Sequence, residues 1–265
     1  MNIGIKYGRE EYRENPLCTA LVDGLRADGH SVQDCDAALP CGVQLLLSVG
    51  GDGTFLSSAA LAAPAGLPVL GVNMGRLGFL SEYSPAQVLQ ALRSGRYGLE
   101  DRLLLEVRSG SFVRYALNEV SVSRRGPAML GVCASVDGDT LPAYWADGLL
   151  VSTPSGSTAY SLSAGGPIVL PSSRVLLLTP VAPHNLNVRP LVIPSESVVR
   201  LEFISRSAQV NLSVDNFSTE IESSSCVEVK VAQFSLKRVR LADSSFMKAL
   251  SEKLFWGEDK RNETR

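Results

Sequence analysis

The 265-residue chain is poor in the residues that build metal and redox centres, with two histidines and five cysteines. Cys18, Cys35, Cys41, Cys133 and Cys226 form no C-x-x-C pair, and their odd, scattered set reads as reduced thiols. A disulfide framework and a zinc site of familiar spacing are thereby excluded. No apolar run reaches the roughly 18 residues that a spanning helix needs, so no membrane partner is expected. Met1 to Lys6 show no basic stretch followed by a long apolar one, so the sequence reads as a cytoplasmic protein without a signal peptide. There is no basic surplus either: 25 lysines and arginines face 27 acidic residues, for a net charge of −2. Binding along a nucleic-acid backbone usually requires such a surplus, so nucleic acid is not an expected partner. A small phosphorylated molecule needs only one local positive patch. No Ser-His-Asp or Cys-His arrangement stands out, and His184, flanked by Pro183 and Asn185, reads as structural. The glycine patterns G-x-x-x-x-G-K-[ST] and G-x-G-x-x-G are both absent.

What is present is ample core material, 45% hydrophobic against 20% charged. Up to about residue 95, short apolar runs alternate with helical stretches. Strands are expected at residues 2–6, 43–49 and 68–73, and helices at residues 11–28, 53–63 and 84–94. That order argues for an α/β domain with a parallel sheet. From residue 103 to 241 the texture changes to short, β-branched, alternating segments at 103–108, 112–122, 129–136, 198–205, 210–214 and 227–231. Turns such as Arg125-Gly126-Pro127 punctuate them, which is the pattern of an antiparallel, sandwich-like all-β domain. Helical spacing returns at residues 244–256 through Phe246, Leu250 and Leu254. The expected division is an α/β domain over residues 1–97, joined by 242–265, and an all-β domain over 98–241.

Three stretches carry chemistry. In the first, an apolar run ends in Gly50-Gly51-Asp52-Gly53-Thr54 and a helix follows at once. Ligands of open α/β sheets bind beyond the carboxyl ends of the strands, where glycines let the backbone approach phosphate and a helix N-terminus favours the anion. Asp52 needs another explanation, because a carboxylate repels phosphate. It implies a metal ion, or a hydroxyl whose proton must be taken. The plainer reading is an aspartate satisfying helix N–H groups. A second glycine-rich turn, residues 71–80, is expected on the same sheet edge, and its Arg76 is a candidate for a phosphate. In the second stretch, Asn118-Glu119 lies within an expected apolar strand. Adjacent residues of a strand face opposite ways, so one of the pair would turn toward the core unless a ligand takes it. The third stretch, Asp147 through Pro167, is rich in small hydroxyls and glycines with one aromatic ring, Tyr160. It can line a polar ligand with little steric hindrance, and strands expected at residues 149–151 and 168–170 flank it.

Together these stretches resemble the NAD kinase family. The likeness rests on Gly50-Gly51-Asp52-Gly53-Thr54, Asn118-Glu119, Asp147 through Pro167, and Leu178 to His184 with Arg189-Pro190. The glycine-aspartate turn alone is shared with diacylglycerol, sphingosine and phosphofructo-kinases, and Thr158-Ala159-Tyr160-Ser161 narrows the likeness. The resemblance implies an α/β domain followed by an all-β domain, with the last helix packing back on the first. It also implies ATP as phosphoryl donor, Mg²⁺ or Mn²⁺, NAD as acceptor, and a homodimer or homotetramer. Carried over by position, Asp52 is the implied base on the ribose 2′-hydroxyl. Asp52 and Gly53 touch NAD, and Asn118 and Glu119 hold its adenosine portion. Asp147 reaches the nicotinamide end, while Thr158, Ala159, Tyr160, Ser161, Leu162, Ser163 and Ala182 line the same nucleotide. Gly50, Gly51, Gly53, Thr54 and Arg76 are the implied phosphate-binding set. The chain departs from the family in placing Trp145, in the implied NAD lining, where many members have Arg or His. Ser155 replaces the usual Thr, and Asp215-Asn216-Phe217 stands where an Asp-Gly-Gln triplet is common.

Overall fold

A computed structural model describes residues 1–36, 38–75 and 78–255. The chain divides into two compact units, one of residues 1–100 with 237–265 and one of residues 101–236.

In the first unit the sheet order is Ser31–Asp34, Asn2–Tyr7, Leu45–Val49, Val69–Val72, Leu236–Leu241 and Tyr97–Arg102. The first five strands are parallel, each to its neighbour. Leu45–Val49 is buried at every position, as its mostly apolar run requires of an interior parallel strand, and its one polar side chain, Ser48, accepts from Ser58 Oγ at 2.9 Å. The chain leaves Asn2–Tyr7 toward one side for Ser31–Asp34 and then returns to pair Leu45–Val49 on the other. The carboxyl ends of Asn2–Tyr7 and Leu45–Val49 therefore flank the switch point, where ligands of such sheets bind. The helix expected at residues 11–28 is shorter, Pro16–Ala27. Asn15 caps it by accepting from the Leu17 N–H, and Pro16 takes the first helical position, while Glu10–Tyr12 turns separately. Cys18, Leu21 and Leu25 are its buried face. Helix Pro85–Ser94 begins with a full capping box between Ser84 and Gln87.

The second unit consists of two antiparallel sheets. One runs Asp139–Thr140, Leu130–Val136, Val199–Ile204, Val227–Val231, Leu105–Ser109, Phe112–Ala116, with Tyr144–Ala146 also on Leu130–Val136. The other runs Leu191–Pro194, Val175–Val181, Gly148–Ser152, Glu119–Ser123, Gln209–Val214, Phe217–Glu222. Alternate residues of both, among them Val107, Val120, Val132, Leu149, Leu178, Leu201, Leu212 and Val229, share one core.

Three details differ from the sequence expectation. The single strand expected at 112–122 is two strands, Phe112–Ala116 and Glu119–Ser123, broken at Leu117-Asn118. Residues 168–170, expected as a strand, lie in none. Leu236–Leu241, expected in the all-β domain, instead pairs with Val69–Val72 in the first sheet. The division thus falls near residues 100 and 237 rather than 97 and 242. The last helix, Phe246–Leu254, belongs to the first unit, and Trp256 lies outside the described residues.

Candidate active site

On the first unit, Gly50 follows the buried strand Leu45–Val49 with a φ of 153°, in the region that disfavours side chains. A Cβ there would lie 2.4 Å from Thr54 Oγ1, so the turn closes only with glycine. The Gly50 N–H donates to Val72 O at 2.8 Å and the Thr54 N–H to Gly51 O at 3.0 Å. Both donors are engaged within the fold, so these two residues contribute shape more than N–H groups to a phosphate. Gly51 and Gly53 are exposed.

Asp52 is the first residue of helix Asp52–Ala62, yet its carboxylate turns to a different segment. Oδ2 accepts from Phe79 N at 2.8 Å, and Oδ1 accepts from Leu80 N at 3.0 Å and Ser81 N at 2.9 Å. Among the described residues these N–H groups fill three of the roughly four lone-pair positions that a carboxylate offers, which leaves one on Oδ2. Gly78 shields the same group: a Cβ there would meet Asp52 Oδ1 at 1.9 Å. Arg76, the candidate phosphate cation, lies outside the described residues.

On the second unit, Asn118 and Glu119 sit at the break between two strands. Asp215 makes the break. Its carboxylate accepts from the N–H groups of Leu117 at 2.7 Å, Asn118 at 2.9 Å and Glu119 at 3.1 Å, replacing a strand partner for three consecutive residues. Asp215 occupies a two-residue hairpin turn, since Val214 pairs with Phe217, and has a φ of 52°.

The serine-rich segment closes against this break. Thr153 N donates to Asn118 O at 2.9 Å, Thr153 Oγ1 donates to Leu117 O at 2.5 Å, and Gly156 N donates to Thr153 Oγ1 at 3.2 Å. A Cβ on Gly156 would lie 2.1 Å from Asn118 O, so only glycine allows the approach. Ser161 Oγ and Thr179 Oγ1 are 2.9 Å apart and buried. Thr158 Oγ1 donates to Ser155 O at 3.3 Å, whereas Tyr160 and Ser163 are exposed and Ala159 and Leu162 half-buried.

Among the described residues, three buried polar atoms of this cluster have no partner: Asn118 Oδ1, Glu119 Oε2 and Ser152 Oγ. A buried polar atom left so is costly unless a ligand or water meets it. Glu119 also accepts from the Tyr160 backbone N–H, but burial, and next the charge of Asp215, push its carboxyl up to about 8. Burial pushes Asp215 up as well, opposed by its three amide donors. The three amide donors favour the charged form of Asp215, whereas Glu119 at neutral pH carries a proton it can donate.

Asp147 is held by Arg124, with Nε 2.6 Å from Oδ1. The Trp145 carbonyl accepts from His184 N at 2.7 Å, and the Trp145 N–H donates to Asn185 Oδ1 at 3.0 Å. Its indole lies above Gly131, where an added Cβ would be 3.1 Å from Cζ3. Ala182 has a φ of 45°, a left-handed conformation that a non-glycine residue holds only under strain. The sequence reading missed Asp215 as the residue that shapes the Asn118-Glu119 break. It also missed Ser152 and Arg102, whose Nη1 donates to Ser155 Oγ at 3.1 Å. An Asp-Asn pair between two alternating strands signals a hairpin turn, but nothing in it says which amides the aspartate will take.

Both clusters fall within known domain families. Residues 9–97 match the ATP-NAD kinase N-terminal domain, and residues 117–241 match the ATP-NAD kinase C-terminal domain. The chain belongs to the NAD kinase family. The NAD kinase of Porphyromonas gingivalis is 44% identical over 225 residues, 83% of this chain and 78% of its own length. That of Flavobacterium psychrophilum is 40% identical over 229 residues, again 83% and 78%. Among solved structures, yeast NADH kinase complexed with NADH aligns with a TM-score of 0.85 at 25% identity, covering 98% of this chain and 88% of that one. An NAD kinase from Archaeoglobus fulgidus in complex with ATP aligns with a TM-score of 0.79 at 24% identity, covering 96% and 99%, a likeness of fold.

Proposed function

We infer that the chain phosphorylates NAD to NADP, transferring the γ-phosphoryl group of ATP to the 2′-hydroxyl of the adenosine ribose. The observation that carries this reading is that both NAD kinase domain families match one chain, one spanning Asp52 and the other Asn118 and Glu119.

In this reaction the 2′-oxygen bonds to the γ-phosphorus as the bond to the β–γ bridging oxygen breaks, and ADP leaves with the electron pair. Positioning and charge neutralisation supply most of the catalysis. Asp52 is the base: its free lone pair on Oδ2 accepts the hydroxyl proton late in transfer and passes it to solvent. Its three amide bonds fix the carboxylate before substrate arrives, so little rotamer freedom is lost in the reaction. Gly51, Gly53 and Arg76 meet phosphates, with Gly50 and Thr54 shaping the turn. Asn118 Oδ1 accepts from the adenosine portion of NAD while neutral Glu119 donates to it. Thr158 through Ser163, Ala182 and Trp145 line the nucleotide, and Asp147 with Arg124 lies toward its nicotinamide end.

Among the described residues no three His, Cys, Asp or Glu side chains gather as a metal cage. A hard cation, Mg²⁺ or Mn²⁺, belongs to the same reading, because such ions prefer oxygen donors like the phosphates of ATP. When bound it neutralises charge on the β- and γ-phosphates. A cytoplasmic homodimer or homotetramer belongs to the same reading. No described helix is long and apolar enough to cross a membrane.

The test is direct. Purified protein incubated with NAD, ATP and Mg²⁺ forms NADP, read by an NADP-specific dehydrogenase. Absence of NADP, or equal phosphorylation of diacylglycerol or a sugar, overturns the reading.

A further inference from the structure

The segment Phe79-Leu80-Ser81-Glu82 has a second set of partners on its other side. The N–H groups of Phe79, Leu80 and Ser81 face Asp52, and the carbonyls of Phe79 and Leu80 face Arg238, whose Nη2 donates to Leu80 O at 3.2 Å and Phe79 O at 3.4 Å. Arg238 is almost fully buried on Leu236–Leu241 and pairs with Glu82 at 3.3 Å and Glu100 at 2.8 Å. The same Glu82 oxygen receives Lys253 Nζ at 3.5 Å. Lys253 comes from the last helix, Phe246–Leu254, and its side chain is only 6% exposed. Its ammonium stands 4.6 Å from the centre of the Phe79 ring, a cation–π contact, and Phe246 of the same helix packs on that ring at 6.3 Å. Burial lowers the Lys253 pKa, opposed by the charges of Glu82 and Asp52. A lysine kept charged in such a place costs desolvation, and its ion pair and its ring contact, Glu82 and Phe79, both belong to one four-residue segment.

We propose that Lys253 is a positioning residue for Asp52: by holding Glu82 and the Phe79 ring, the C-terminal helix fixes the segment whose three amides aim the carboxylate. The inference rests on the reading of Asp52 as the base for phosphoryl transfer. Among the described residues Lys253 pairs with Glu82 and with the Phe79 ring. It acts through Phe79 to Glu82, and small displacements of a reacting group are costly in rate.

The experiment compares wild type, Lys253→Met and Lys253→Arg, alone and with Asp52→Asn, in steady-state NADP synthesis from NAD and MgATP. Lys253→Met is expected to lower kcat on the order of ten- to a hundredfold with KM for NAD and ATP within about twofold. Lys253→Arg, which keeps the charge, is expected to recover most of kcat. In the Asp52→Asn background, Lys253→Met is expected to change kcat by less than about twofold, since the group it positions is gone. A kcat of Lys253→Met within twofold of wild type overturns the proposal. So does a loss that Lys253→Arg fails to recover, or one that multiplies undiminished onto Asp52→Asn. Unfolding midpoints of all variants are measured alongside, and a fall in kcat that merely tracks lost folded protein also counts against it. A wild-type protein that makes no NADP refutes the kinase reading instead, so the two failures are distinct.

Discussion

The neutral carboxyl of Glu119 can be tested without any ligand. Its pKa is raised from 4.5 to about 8, chiefly by burial and secondly by Asp215. Between those pH values the folded protein holds a proton that the unfolded chain releases. The sign follows: the stability associated with this proton is fully present below about pH 4.5 and is lost as pH rises through 8. At roughly 1.36 kcal/mol per unit, the cost to the folded state is about 2 kcal/mol at pH 6 and near 5 kcal/mol at pH 9. Glu119→Gln removes the titration and keeps size and donor. Urea unfolding of both proteins at pH 6 and pH 9, without nucleotide, should show the glutamine variant gaining about 2–3 kcal/mol relative to wild type between the two pH values. Other titrating groups cancel in the difference. A relative stability that stays constant within about 0.5 kcal/mol would refute the neutral Glu119.

Two further substitutions probe the geometry. Asp215→Asn replaces one of the two oxygens that accept from Leu117, Asn118 and Glu119 by a donor, so we expect a stability loss of about 1–3 kcal/mol and a raised KM for NAD, measured by urea unfolding and steady-state kinetics. Gly78→Ala places a Cβ 1.9 Å from Asp52 Oδ1, and kcat should fall at least tenfold with the KM for NAD changing far less; normal turnover would mean that Asp52 need not stay where the structure holds it.

The parts of this architecture that were legible in the sequence are those with local causes. The mostly apolar run into Gly50-Gly51-Asp52-Gly53 marks a buried parallel strand ending at a ligand edge, and Ser84-Pro85 marks a helix start. Asn118-Glu119 was visible as polar residues in an apolar strand. The strand break there was not, because the acceptor for its amides comes from Asp215, 96–98 residues away. The three amides on Asp52 come from residues 27–29 positions further along, and Arg238 reaches its carbonyl and carboxylate partners across 138–159 positions. Such long-range ion pairs leave no period or spacing in a sequence. The placement of Leu236–Leu241 follows the same logic: its alternation fits either sheet, and only its pairing with Val69–Val72 decides.

The central claim is that the Asp52 carboxylate takes the proton of the ribose 2′-hydroxyl. The most direct test is kcat of Asp52→Asn at saturating NAD and MgATP, on protein whose unfolding curve confirms that it is folded. We expect a loss of about 10²- to 10⁴-fold, the range that a positioned base contributes, with a stability cost of about 1–3 kcal/mol for the N–H of Phe79 left facing a donor. Folded Asp52→Asn protein turning over within about tenfold of wild type would contradict the claim and leave Asp52 as nothing more than an anchor for the backbone of residues 79–81.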